Sequence, residues 1–248
     1  MQLVSAKFLG CVLALFVLVL PAQAAFISGG GPISPSSNPA LGRFLAELTV
    51  VPVGPDANLT IRIRNTSLAG TGGFLNAFVF NNPAAYTVAL TSSTVNTFRT
   101  FVNENNDIKA PPLGDFDFLV GTDNSFTGGG NGQGGLGVGQ SATFVFSVTG
   151  ANASTLTDDS FLTALSEQKK PKVGELPQFF AARFQGFKDG GSDKVAAVRG
   201  LDAGGGNVGG FAGPEVNPVP APASLVLAAM GIPLFLLPRL RRRATITA

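Results

Sequence analysis

Leu59-Thr60-Ile61-Arg62-Ile63-Arg64 alternates apolar and polar side chains without a break. A period of two puts Leu59, Ile61 and Ile63 on one face of an extended strand and Arg62 and Arg64 on the other. The stretch Thr143-Phe144-Val145-Phe146-Ser147-Val148 behaves similarly: Phe144, Phe146 and Val148 share a face, with Thr143 and Ser147 opposite. Further strand candidates lie at 44–51, 74–80, 86–91, 97–102, 115–120 and 179–187, punctuated by Gly, Asn, Pro and Ser. About eight short strands with turn-rich connections predict an all-β fold, an antiparallel β-sandwich that is jelly-roll-like.

One short helix is expected within this sandwich. Thr157 can cap it, Asp158 and Asp159 suit the positive end of its dipole, and Phe161, Leu162 and Leu165 form an apolar face. Lys169 and Lys170 complement the negative end before Pro171 stops the helix. The 21 phenylalanines fall mostly at alternating strand positions or inside strand cores, so packing is their expected role. Gly128-Gly129-Gly130-Asn131-Gly132-Gln133-Gly134-Gly135 reads as a flexible loop leading into the strand at Thr143. It is not a phosphate cradle, because no lysine follows at P-loop spacing and no helix opens after it.

Two apolar runs bracket this middle. Lys7 precedes an apolar stretch from Phe8 to Leu20, about thirteen residues, the length of an export-signal core and too short to span a bilayer. Pro21 ends it, and Ala22-Gln23-Ala24 offers small residues where a signal peptidase reads them, so cleavage is expected after Ala24 or one residue later. Residues 1–24 are therefore read as a signal peptide. Cys11, the one cysteine, lies early in the apolar run rather than after it, so it is a small apolar residue and not a lipidation site. The exported chain then has no disulfide, and its stability must come from a hydrophobic core.

Near the other end, Ala223 to Pro238 is apolar and is followed by Arg239, Arg241, Arg242 and Arg243. As a helix it would cover roughly 24 Å, short of the ~30 Å hydrocarbon core, and Pro233 removes a backbone bond at its middle. Arginines at the end hold that end in the cytoplasm. A short, kinked segment of this kind suits temporary anchoring. Before it, residues 204–218 are rich in Gly and Pro and read as a stalk. This leaves 25–203 as the extracellular β-sandwich domain and 219–243 as a sorting segment with a transmembrane helix and a basic end.

Val219-Pro220-Ala221-Pro222-Ala223-Ser224-Leu225, the apolar run and Arg241-Arg242-Arg243 together resemble the PEP-CTERM sorting domain of Gram-negative bacteria. Ala221 stands where that family carries its central glutamate, so the motif reads Pro-Ala-Pro. The stretch from Phe180 to Phe187, with Gly190 to Val195, is similar to the end of the extracellular region in some uncharacterised members. The resemblance implies export across the inner membrane, then processing at the tail by an exosortase-type membrane transpeptidase. It also implies a final place at the cell surface or outside, in organisms that often make exopolysaccharide.

Composition narrows the rest. Setting aside Lys7 and the four C-terminal arginines, acidic residues outnumber basic ones by three, so no basic surface for nucleic acid is expected. Histidine and tryptophan are absent, which excludes Ser-His-Asp and Cys-His nucleophilic systems and the common zinc sites. Asp115 and Asp117 would share a strand face, the arrangement of a carboxylate pair in a hydrolase. Asp115, Asp117 and Asp123, or Asp189 and Asp193, could give hard oxygen ligands to calcium. Ordinary turn and strand-entry roles account for all five, so no catalytic residue, metal site or cofactor is assigned. The leading expectation is a non-enzymatic surface or matrix protein whose partners are signal peptidase, the transpeptidase and, transiently, the membrane. A polysaccharide-binding module on the same sandwich, with calcium as an aid and exopolysaccharide as the partner, is the alternative, and a carboxylate-dependent hydrolase is the third.

Overall fold

The structure is a computed structural model and describes residues 24–30, 41–83, 86–102, 108–128, 132–168 and 176–200. The chain lays down β1 (Ala24–Gly29), β2 (Phe44–Val53), β3 (Asp56–Asn65), β4 (Gly72–Phe80), β5 (Thr87–Ser93) and β6 (Arg99–Val102). It continues with β7 (Ile108–Lys109), β8 (Asp115–Phe116), β9 (Phe118–Gly121), β10 (Ser141–Thr149) and the short helix α1 (Asp158–Thr163). It ends with β11 (Phe180–Phe187), β12 (Asp193–Ala196) and β13 (Val198–Arg199). The first sheet has the order β13-β1-β2-β3-β10-β5, the second β12-β11-β4-β9-β6, and β7 pairs with β8 alone. Every pairing is antiparallel.

Alternation orients the first sheet as expected. Leu59, Ile61, Ile63, Phe144, Phe146 and Val148 are all buried, while Arg62, Arg64, Thr143 and Ser147 remain partly exposed. Rings from the two sheets interlock between the layers. Phe78 on β4 meets Phe144 on β10 edge-on at 5.1 Å between centroids, and Phe80 meets Phe146 at 5.5 Å. Phe44 on β2 approaches Phe180 on β11 at 5.6 Å. Each such ring, fully buried, contributes on the order of 1.5–3 kcal/mol by leaving water. With no cysteine among the described residues, this aromatic layer holds the sheets together.

The second sheet is covered on both faces. Its inner face contributes Leu75, Phe78, Phe80, Phe118, Val120, Ala182 and Phe184 to the main core. Its outer face contributes Ala77, Val79, Leu119, Ala181 and Ala196 to a smaller core closed by Ala110, Leu113, Phe116 and Phe126. The β7–β8 excursion and the loop after β9 supply that cover. This explains why β4 and β11 read as nearly continuous apolar runs instead of alternating ones.

The structure differs from the sequence reading in several places. Asp115–Val120 is not one strand: it breaks at Asp117 into β8, which pairs with β7, and β9, which belongs to the second sheet. Strands β5 and β6 begin later than expected, at Thr87 and Arg99, and β1, β7, β12 and β13 are additional. Helix α1 starts after Thr157 as expected, with Ser160 Oγ accepting from Thr157 N at 3.1 Å. However, it ends at Thr163, so Leu165 is not on its apolar face but 52% exposed. The helix stops because the following backbone is drawn into bridges. Ser166 N donates to Gln178 O at 2.8 Å, and Glu167 exchanges both backbone bonds with Asp115. Lys169, Lys170 and Pro171, expected to complement and stop the helix, lie outside the described residues.

Candidate functional site

On the outer side of the second sheet, Arg183 projects from β11 into the smaller core and is only 2% exposed. Its guanidinium fork donates to Ser125 O at 2.6 Å and to Gly128 O at 2.7 Å, and more weakly to Asp123 Oδ1 at 3.4 Å. Burial pushes its pKa below the ordinary value, with the Asp123 carboxylate opposing that shift. Lys194 stands directly across the ladder on β12, and its Nζ donates to Pro111 O at 2.8 Å. Burial, and secondarily the positive charge of Arg183, lowers the Lys194 pKa. The two cations therefore fasten the covering loops to the sheet. Ser125, which accepts from Arg183, also lines a cleft of about 340 Å³ with Phe101, Val102, Ile108, Lys109, Asn124, Phe126 and Thr127.

Buried asparagines fasten the other loops. Asn65, at the end of β3, donates from Nδ2 to Gly73 O and Leu136 O at 3.0 and 2.8 Å and accepts from Ser67 N. Asn76 is the extra residue of a bulge, since Ala77 faces Arg183 while Leu75 faces Phe184. Its Nδ2 donates to Gly132 O at 3.0 Å. Leu136 exchanges two backbone bonds with Leu75. The described part of the glycine-rich stretch is thus docked against β4, not free. Gly132 needs to be glycine, because it has φ +74° and a Cβ would meet Gln185 O at 2.8 Å.

The five aspartates nominated from sequence do not assemble. Asp117 is buried, and its Oδ2 accepts from Asn82 N at 2.8 Å; it does not share a strand face with Asp115 as expected, because the strand breaks at it. Asp123 faces Arg183, Asp189 Oδ1 accepts from Gly191 N at 2.8 Å, and Asp193 Oδ2 accepts from Gly42 N at 2.9 Å. Among the described residues no group of three or more His, Cys, Asp or Glu side chains could hold a metal ion.

The outer face of the first sheet is mostly polar. Its cross-strand rows read Glu47, Arg62, Thr143; then Thr49, Thr60, Val145, Ser92; then Val51, Asn58, Ser147, Ala89. Neighbouring groups along a row are spaced by the interstrand distance, about 4.8 Å.

No protein-family model, curated protein or solved structure matches the chain.

Of the processing residues, Ala24 is the first residue of β1, opposite Thr49. Ala22, Val219, Pro220, Ala221, Pro222, Arg239, Arg241, Arg242 and Arg243 lie outside the described residues. Among the described residues no helix is long and apolar enough to cross a membrane. Sequence reasoning missed Arg183, Lys194 and the buried asparagines. One sign was available: an arginine inside the otherwise apolar run Phe180-Ala181-Ala182-Arg183-Phe184 had no sequence-level partner.

Proposed function

We propose that this is an exported, non-enzymatic surface or matrix protein, cleaved from its signal after Ala24 and processed at Pro220-Ala221-Pro222 by an exosortase-type transpeptidase. The observation that carries the reading is the likeness of the tail, Val219 to Leu225 with the apolar run and Arg241–Arg243, to the PEP-CTERM sorting domain. It is supported by the two-sheet antiparallel sandwich that β1 to β13 build among the described residues. The winding is read as jelly-roll-like, on the support of two matched ribbons, β3-β10-β5 in one sheet and β4-β9-β6 in the other. The test is mass spectrometry of the exported protein, with and without the transpeptidase gene. An N-terminus at Ala25 and loss of Arg241–Arg243 only when the gene is present are expected. A C-terminus that retains those arginines in both strains rejects processing.

The second reading, a polysaccharide-binding module, is favoured by the polar outer face of the first sheet. Its hydroxyl and amide groups can bond an extended chain without Trp or Tyr stacking. Calcium is left out of this reading: Asp117, Asp189 and Asp193 each accept a backbone N–H, and among the described residues no group of three or more His, Cys, Asp or Glu side chains could hold a metal ion. Binding to the producer's own polysaccharide should weaken at least fivefold in a Thr60→Val, Asn58→Ala, Ser147→Ala triple variant. Unchanged binding by the triple variant removes this reading.

A further inference from the structure

We infer that the sandwich ties its own signal-cleavage bond into a β-ladder, so that cleavage must precede completion of the first sheet. The inference rests on the signal reading of residues 1–24. In the folded chain Ala24 pairs with Thr49, Ala25 with Leu48 and Phe26 with Glu47. Both candidate scissile bonds, Ala24–Ala25 and Ala25–Phe26, therefore lie within the β1–β2 ladder. A protease binds its substrate as an extended strand through the same backbone N–H and C=O groups. The N–H and C=O of Ala25, which face β2, cannot serve β2 and an enzyme at once.

Peeling β1 away to release the bond is opposed from both sides. Ile27 is completely buried in the main core, and Ala25 packs against that core. On the opposite edge of β1, Ile27 and Ser28 pair with β13, Gly200 N donates to Phe26 O at 2.9 Å, and Ser28 Oγ donates to Gly200 O at 2.8 Å.

In cleavage, water gives its hydroxyl to the Ala24 carbonyl carbon and a proton to the Ala25 nitrogen as the C–N bond breaks. The products are the Ala24 carboxylate and the Ala25 amine. The remaining strand, Ala25 to Gly29, keeps its rungs to Leu48, Glu47, Ala46, Leu45 and Phe44. Cleavage thus leaves the fold intact, whereas folding first protects the bond and retains the protein at the membrane by its N-terminus.

The experiment offers full-length precursor in detergent to purified signal peptidase, either refolded or held unfolded in a urea concentration the peptidase tolerates. Products are identified by N-terminal sequencing. The refolded precursor should be cut at least tenfold more slowly. An eight-residue Gly/Ser insertion between Ala25 and Phe26, which moves the bond off the ladder, should restore the unfolded rate. Equal rates for refolded and unfolded wild type overturn the inference. So does an insertion variant that refolds yet stays resistant. If neither state is cut near Ala24, the signal reading itself fails, and that outcome is distinct from the other two.

Discussion

Replacing Arg183 with methionine isolates what a buried cation does in this fold. Methionine keeps much of the stem volume but removes the donors to Ser125 O and Gly128 O, at 2.6 and 2.7 Å. Hydrogen bonds from a charged donor contribute about 1.5–3 kcal/mol each. Their sum is reduced because the carbonyls belong to a loop that can turn toward water. A net loss of about 3 kcal/mol is expected, roughly a hundredfold or more in the unfolding constant. Arg183→Lys offers one point donor instead of a planar fork and should lose about half as much. Asp123 is 51% exposed and 3.4 Å away, so Asp123→Asn should cost less than about 1 kcal/mol. Urea unfolding of the purified exported domain measures all three. It should be followed by far-ultraviolet circular dichroism, since the chain has no tryptophan and a single tyrosine. If Asp123→Asn costs as much as Arg183→Met, the arginine is held by the carboxylate and not by the carbonyls, and the reasoning is wrong.

Three other perturbations follow from the loop fastenings. Asn65→Asp sets a carboxylate against the carbonyls of Gly73 and Leu136 and should destabilise by about 3 kcal/mol or more, read as a lower urea midpoint; a change below 1 kcal/mol argues against the assigned amide orientation. Gly132→Ala combines a positive φ with a contact to Gln185 O and should cost about 1–3 kcal/mol by the same measurement, whereas Gly139→Ala, with open space around its Cβ, should lose only the φ contribution. Lys194 has a folded pKa below its ordinary value of 10.5, so the unfolded state binds more protons between those two values. Its contribution to stability should therefore rise with pH across that window, and Lys194→Gln should remove that part of the slope; parallel pH profiles for the two proteins would refute the assignment.

The first sheet was legible because one of its faces meets water, and the period of two is written plainly in β3 and β10. The second sheet was harder to read. A strand covered on both faces carries no alternation, and the segments that cover it, 108–116 and 122–128, are short and remote in sequence from β11. Two-residue strands such as β7 and β13 carry no pattern of their own. They exist because tertiary partners, not local preference, extend the backbone there. Helix α1 ended early for the same reason: bridges to Asp115 and Gln178 outcompeted continuation toward the lysines. The cation pair of Arg183 and Lys194 joins adjacent strands of the second sheet, a juxtaposition that depends on register. The aspartates misled because a carboxylate that holds a loop and one that binds an ion look alike in sequence.

The passage from β12 through Ala197 to β13 carries the chain from one sheet to the other, and β13 pairs with the strand made first. The front of the polypeptide is thus zipped shut by its rear. At the pace of synthesis, about 5–20 residues per second, the interval between emergence of Ala25 and of Arg199 is on the order of 10–35 s. Throughout that interval the leading strand has one flank bare. A late-arriving latch of this kind leaves the leading strand held by β2 alone until the last described strand has been made.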